Sequence, residues 1–162
     1  INTVLRPISA SNASALFVNS PVVVTGGEVL AVGTYSDGTE KVTGTVVRLC
    51  TDAGKTVQNV PASTDGYMAE ITYEPNMRYI ITCDGTGVET GKFYSLSAES
   101  ATANADGFSG DAFSKRQIAA STEDSSGEQF VVQSVSGAIN NTLSSDKAEV
   151  VVTINPANHV GA

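Results

Sequence analysis

Few side chains in this 162-residue chain are of a type and spacing that could carry out a reaction. His159 is the only histidine, set between Pro156 and Gly161. A general base in a Ser–His–Asp relay is held by rigid structure, whereas His159 is expected in an exposed tail. The sequence holds no HExxH helix, phosphate loop, GxSxG elbow or dinucleotide fingerprint. Its 17 acidic residues offer carboxylate pairs by chance and so do not single out a glycosidase. Neither an enzyme nor a cofactor is expected.

Two other groups could do chemistry of a non-catalytic kind. Asp106, Ser109 and Asp111 place oxygen donors on a Gly-bearing loop, the donor type that calcium takes. The later Glu of the EF-hand pattern is missing, so a solvated acidic loop is expected and no metal site is assigned. Cys50 and Cys83 are the only cysteines. In an oxidising compartment a bridge between them would close a loop of about 33 residues and add roughly 3–4 kcal/mol. Alternation places Cys83 inward and Cys50 outward, so the bridge requires a bulge or strong twist near Cys50. A disulfide is expected on that condition; two buried thiols are the alternative.

These residues ride on strands. Residues 42–85 hold apolar runs that alternate with period two and are separated by turn signals. Val47 and Leu49 share one face of the first run, with Gly44 where a neighbouring backbone could come close. Asp52-Ala53-Gly54 turns into a short run over 55–60, and Thr64-Asp65-Gly66 into 67–72, where Tyr67, Ala69 and Ile71 share a face. Pro75-Asn76 leads to 77–83, with Met77, Tyr79, Ile81 and Cys83 on one side. An antiparallel meander is expected, burying Val47, Leu49, Tyr67, Ile71, Tyr79 and Ile81 together. Further strands are expected at 15–18, 21–24, 28–35, 92–96, 129–135 and 148–154. Residues 97–111 and 121–128 read as long polar loops, the first pinned by Phe108 and Phe113.

The order Val42, Gly44, Val47, Leu49, Asp52, Gly54, Asp65, Gly66, Tyr67, Pro75, Tyr79 resembles the carboxypeptidase regulatory-like and Cna-B-like modules, which are transthyretin-like β-sandwiches. The stretch 33–44, GTYSDGTEKVTG, is similar to bacterial Ig-like domains. The resemblance implies an all-β, antiparallel Ig-like or transthyretin-like sandwich, without catalysis of its own, used as a module of secreted and surface proteins. Some Cna-B-like modules carry a Lys–Asn cross-link beside a buried acid; Lys41, Glu70 and Asn155 are the nearest counterparts here, although Glu70 falls on the outward face.

Composition narrows the functional classes. Net charge is −8 and only 16% of residues are charged. Nucleic acid, which needs phosphate neutralisation, is therefore not an expected partner. No run of 18 apolar residues and no basic amphipathic helix is present, so membrane insertion is not expected either. The chain begins at Ile1 without Met, which suggests removal of a leader and an extracellular or cell-surface location, with a virion as the alternative. Asn12-Ala13-Ser14 and Asn140-Asn141-Thr142 match the N-glycosylation sequon.

Residues 1–14 read as an apolar arm, INTVLRPI, followed by a polar hinge, and 15–162 as the sandwich body, with its core meander at 42–85 and C-terminal strands at 92–154. The length suffices for one sandwich or two small ones. Val4, Leu5 and Ile8 are the candidate assembly residues of the arm, because an extended segment can fill the open sheet edge of a neighbour. The reading that follows is a structural subunit of a filament, pilus-like fibre or surface layer, with copies of itself and other structural proteins as partners. A phage capsid-decoration or tail protein is the second reading. An adhesion or carbohydrate-binding module is the third; the lack of Trp and the core assignment of Tyr67 and Tyr79 count against it.

Overall fold

The computed structural model describes residues 1–32, 41–97, 116–124, 127–138, 140–145 and 147–162. Among them it is all-β and antiparallel, an arrangement compatible with a β-sandwich. The larger sheet is built from β1 (Thr3–Pro7), β3 (Pro21–Thr25), β4 (Glu28–Ala31), β5 (Gly44–Thr51), β6 (Thr56–Val57) and β8 (Tyr67–Thr72). Their order is β1-β8-β5-β3-β4, with β6 beside β5. The second sheet runs β10 (Phe93–Tyr94), β11 (Phe130–Val135), β12 (Glu149–Ile154), β9 (Arg78–Thr82). A small pair joins β2 (Leu16–Phe17) to β7 (Asn59–Val60).

Each sheet rolls around a core of its own. The outer strands of the first sheet meet where Ile8 bridges Val29 and the Ser9 N–H donates to the Val29 carbonyl at 3.0 Å. Inside lie Ile8, Leu16, Val22, Val29, Val46, Leu49, Val60, Ala69 and Ile71. In the second sheet Ile118 links the two ends, bridging Leu96 on one side and Cys83 on the other. Its core holds Tyr94, Phe130, Val132, Val150, Val152 and Ile154, together with Val32 and Val42 from the first half of the chain. Each fully buried aliphatic side chain adds about 1.5–3 kcal/mol by leaving water. Val32 and Val42 thus fasten one half to the other.

The expected common core is divided between these two. Leu49 and Ile71 are buried in the first, with Tyr67 at its margin. Tyr79 and Ile81 pack on the second. The cause is sheet-edge occupancy. β8 has β5 on one edge and β1 on the other, in the register Val4↔Ile71 and Leu5↔Glu70. No edge of β8 remains for the strand after Pro75-Asn76, so β9 crosses over and pairs with β12.

Val47 departs from expectation for a local reason. Val46 is paired with Ile71 and Arg48 with Glu70, so one extra residue sits on β5 between them. Such a bulge reverses the parity of the strand. Val46 becomes fully buried and Val47 is left 44% exposed. Gly44 does what its position suggests: a Cβ there would stand 1.9 Å from the Thr72 carbonyl oxygen, so only glycine allows the two strands to come this close. Strand 28–35 is shorter than expected among the described residues, ending at Ala31. The 33–44 motif falls largely outside them, as do most of the first polar loop, with Phe108 and Phe113, and part of the second.

Candidate functional site

The N-terminal segment is not a free arm. β1 is an outer strand of its own sheet, paired over five residues with β8. Val4 packs on the first core and Ile8 is buried in it, while Leu5 on the outer face is 40% exposed. Polar side chains at the start of the chain add two clasps. The Asn2 amide donates to Glu74 at 2.7 Å and the Thr3 hydroxyl to Glu70 at 2.7 Å. Glu70 also receives the Arg48 Nε–H at 3.0 Å, tying β1, β8 and β5 in one row. The Thr3 hydroxyl, and then the Arg48 guanidinium, hold the Glu70 carboxyl below its ordinary range.

Residues 9–14 are not a loose hinge. Asn12 is buried; its side-chain oxygen accepts from Ala31 N–H at 2.9 Å, and its carbonyl accepts from Ser63 N–H at 2.8 Å. Ala10 and Ser11 are the exposed part of the connection from β1 to this anchor, after the buried Ile8 and Ser9. The commitment of Asn12 also removes it as a sugar acceptor in the folded chain. Asn140, in the other sequon, is exposed in a positive-φ turn.

Cys50 and Cys83 form no disulfide. Both are free and buried, Cys50 on β5 of the first sheet and Cys83 in the core of the second. The bulge at Val47 lies ahead of Leu49, so Cys50 keeps its outward parity, opposite Met68 and on the side of Arg48, and the crossover of β9 has carried Cys83 to the other core. Burial pushes the Cys83 thiol up to about 11, which keeps it protonated at neutral pH.

His159 is half-buried, where an exposed tail was expected. Asn158 donates to the carbonyls of Gly127 and Glu128 at 2.9 and 3.0 Å, and the Val42 backbone bonds to Asn158 and Val160 on either side of His159. Among the described residues its Nε2 is buried without a partner. Lys41, Glu70 and Asn155 are not brought together. Lys41 reaches the Ala157 carbonyl and Asn158, Glu70 lies on the outer face of the first sheet, and Asn155 bonds the Glu128 carbonyl. Asp106, Ser109 and Asp111 lie outside the described residues. Among the described residues no group of three or more His, Cys, Asp or Glu is placed to hold a metal ion.

A feature that the sequence reading did not single out lies between the halves. A cleft of about 640 Å3 is walled on one side by Asn19, Pro21 and Thr45 and on the other by β9, with Arg116, Gln117 and Phe130 among its further lining residues. The Tyr79 hydroxyl sits 3.2 Å from that of Thr72, which in turn accepts from Thr45 N–H at 3.0 Å, closing one end of the contact between the halves. Burial pushes the Tyr79 phenol above its ordinary range. Ile80 on β9 is 67% exposed. Its signal in the sequence was an isoleucine on the outward parity of an otherwise well-patterned strand. No protein-family model matches this chain, and no curated protein or solved structure matches it.

Proposed function

We propose that this protein is a non-catalytic structural subunit that assembles with copies of itself by exchanging β1 between neighbours. The observation that carries the proposal is the position of β1: it is an outermost strand of its sheet, paired only with β8 among the described strands, and the exposed residues Ala10 and Ser11 follow it before the buried Asn12. An edge strand can leave its own sheet and make the same contacts on an identical subunit, the low-cost route of domain swapping. Val4, Ile8 and the outward Leu5 would then serve as the connector. The transthyretin-like reading of residues 42–85 supports a scaffold role, and the low charge content supports a filament, pilus-like fibre or surface layer outside the cell. A capsid-decoration or tail protein of a virion would use the same exchange.

The test is to delete residues 1–7, keeping the buried Ile8, and to follow mass by sedimentation after mild acid or denaturant has released β1 in the full chain. The full chain is expected to form oligomers on return to neutral pH and the shortened chain to remain monomeric. Oligomers of the shortened chain equal to those of the full chain would refute the proposal.

A further inference from the structure

Among the described residues, the edge of β9 away from β12 is open from Arg78 to Ile81 and faces the cleft. Two hydrogen bonds fix its parity. Cys83 N–H donates to the Ala148 carbonyl, toward β12, while the Thr82 carbonyl accepts from Ile118 N–H on the opposite side. Successive residues of a strand alternate in this respect, and the β9–β12 register runs without interruption from Arg78 to Thr82. Tyr79 and Ile81 therefore bond to β12, and Arg78 and Ile80 present their N–H and C=O groups to the cleft. Among the described residues, β9 has no strand partner but β12. Such an edge is a template for one more strand.

The surroundings specify what that strand should be. The cleft volume, about 640 Å3, is of ligand-pocket size, within the range of roughly 300–1,000 Å3. Its lining is mixed: Pro21, Phe130, Val152 and Ile81 supply apolar surface, and Arg78, Arg116 and Glu149 supply charge, two of the three positive. On the outer face, Arg78 is exposed and Ile80 follows two residues later on the same side. Among the described residues Arg78 makes no ion pair, a positive charge on this face of a chain whose net charge is −8.

We propose that the cleft binds an extended acidic–apolar peptide segment of a partner protein by strand addition to β9. A carboxylate on the peptide faces Arg78, and a β-branched residue two positions away faces Ile80. The residue between them points into the Pro21 and Phe130 lining. Main-chain bonds to Arg78 and Ile80 give affinity, and the side chains give selectivity. This site is independent of β1 and of the assembly reading.

The experiment uses the full chain and a blocked hexapeptide, Thr-Val-Glu-Val-Val-Thr, titrated while backbone amide resonances are followed. The largest shifts are expected at Ile80 and Arg78. Replacing the peptide's Glu by Lys should weaken binding by about threefold, the scale of an exposed ion pair, and the Arg78→Glu variant should reverse that preference. Ile80→Pro removes only the outward N–H, a change an edge strand tolerates, and should lower affinity at least tenfold with an unchanged amide spectrum elsewhere. Peptide binding that is unaffected by both Ile80→Pro and Arg78→Glu, or shifts centred away from β9, would overturn the proposal. So would no saturable shift at millimolar peptide.

Discussion

The two halves of the molecule solve the same problem with different materials. The core of the first sheet is aliphatic throughout, from Ile8 to Ile71, and its ionisable partners lie on the outside, in the row Thr3–Glu70–Arg48. The second core takes in Cys83 and Tyr94, and Glu128, Gln129 and Arg116 are buried around it. Tyr94 illustrates the difference. It is fully buried yet its hydroxyl accepts from Glu89 N–H at 2.8 Å, so a polar handle is satisfied inside. Arg116 donates to the Val32 and Ser97 carbonyls and so stitches the second core to the first half. One half is therefore held by packing, with charge as a surface clasp. In the other, packing is interleaved with buried polar groups, and burial holds the protons on the Cys83 thiol and the Tyr94 phenol.

The largest test of this contrast is steric. Gly44→Ala should cost about 3 kcal/mol or more, because the added methyl meets the Thr72 main chain, which cannot swing aside as a side-chain tip would. In the aliphatic core Ile71→Ala should cost about 2–5 kcal/mol, while Val47→Ala on the bulge should change stability by less than about 0.5 kcal/mol. Ile81→Ala, at the margin of the second core, should fall between them. Chemical denaturation measures all four. Equal costs at Val47 and Ile71 would contradict the bulge.

Alkali should distinguish the halves next. A thiol raised to about 11 by burial favours the folded state below its unfolded value, near 8.5, and loses that contribution as pH rises toward 11. The unfolded chain binds fewer protons in this window, so stability must fall, by up to roughly 2–3 kcal/mol from this group. Cys83→Ala should flatten the alkaline limb of a stability–pH curve. A limb unchanged by the substitution would place the titrating group elsewhere.

Acid should act on the first half, and more weakly. The Glu70 carboxyl is held low, so its contribution is present above its unfolded value and is lost as pH falls through the folded one. Glu70→Gln should remove that part of the acid dependence and loosen β1, read as faster amide exchange at Val4 and Arg6. The effect is small because the ion pair with Arg48 is partly exposed.

Much of this architecture was legible in the sequence. Period-two alternation located β5, β8, β9, β11 and β12, and Gly44 announced a close backbone contact. Pairing between distant segments was not legible. Val4 and Ile8 gave residues 1–8 an apolar side, but alternation does not say whose sheet a strand joins. Assigning those residues to a neighbour left an edge of β8 open, and the expected meander filled it with β9. Once β1 occupies that edge, the crossover of β9, the split of the core and the separation of Cys50 from Cys83 all follow. The cleft was likewise hidden, since its walls come from Asn19, Thr45 and Ile80, far apart in the chain. Bulges are a second blind spot: one extra residue at Val47 reversed which valine was buried without altering the composition of the strand.

The exchange of β1 can be tested directly by trapping it. Leu5 and Glu70 are register partners on the outer face of β1 and β8, at the spacing cross-strand disulfides accept. A chain carrying Leu5→Cys and Glu70→Cys, allowed to assemble under reducing conditions and then oxidised, should run as a covalent ladder without reductant, because the two cysteines of each bridge belong to different subunits. Assembled material that yields only monomers bridged within one chain would show that β1 never leaves its own sheet.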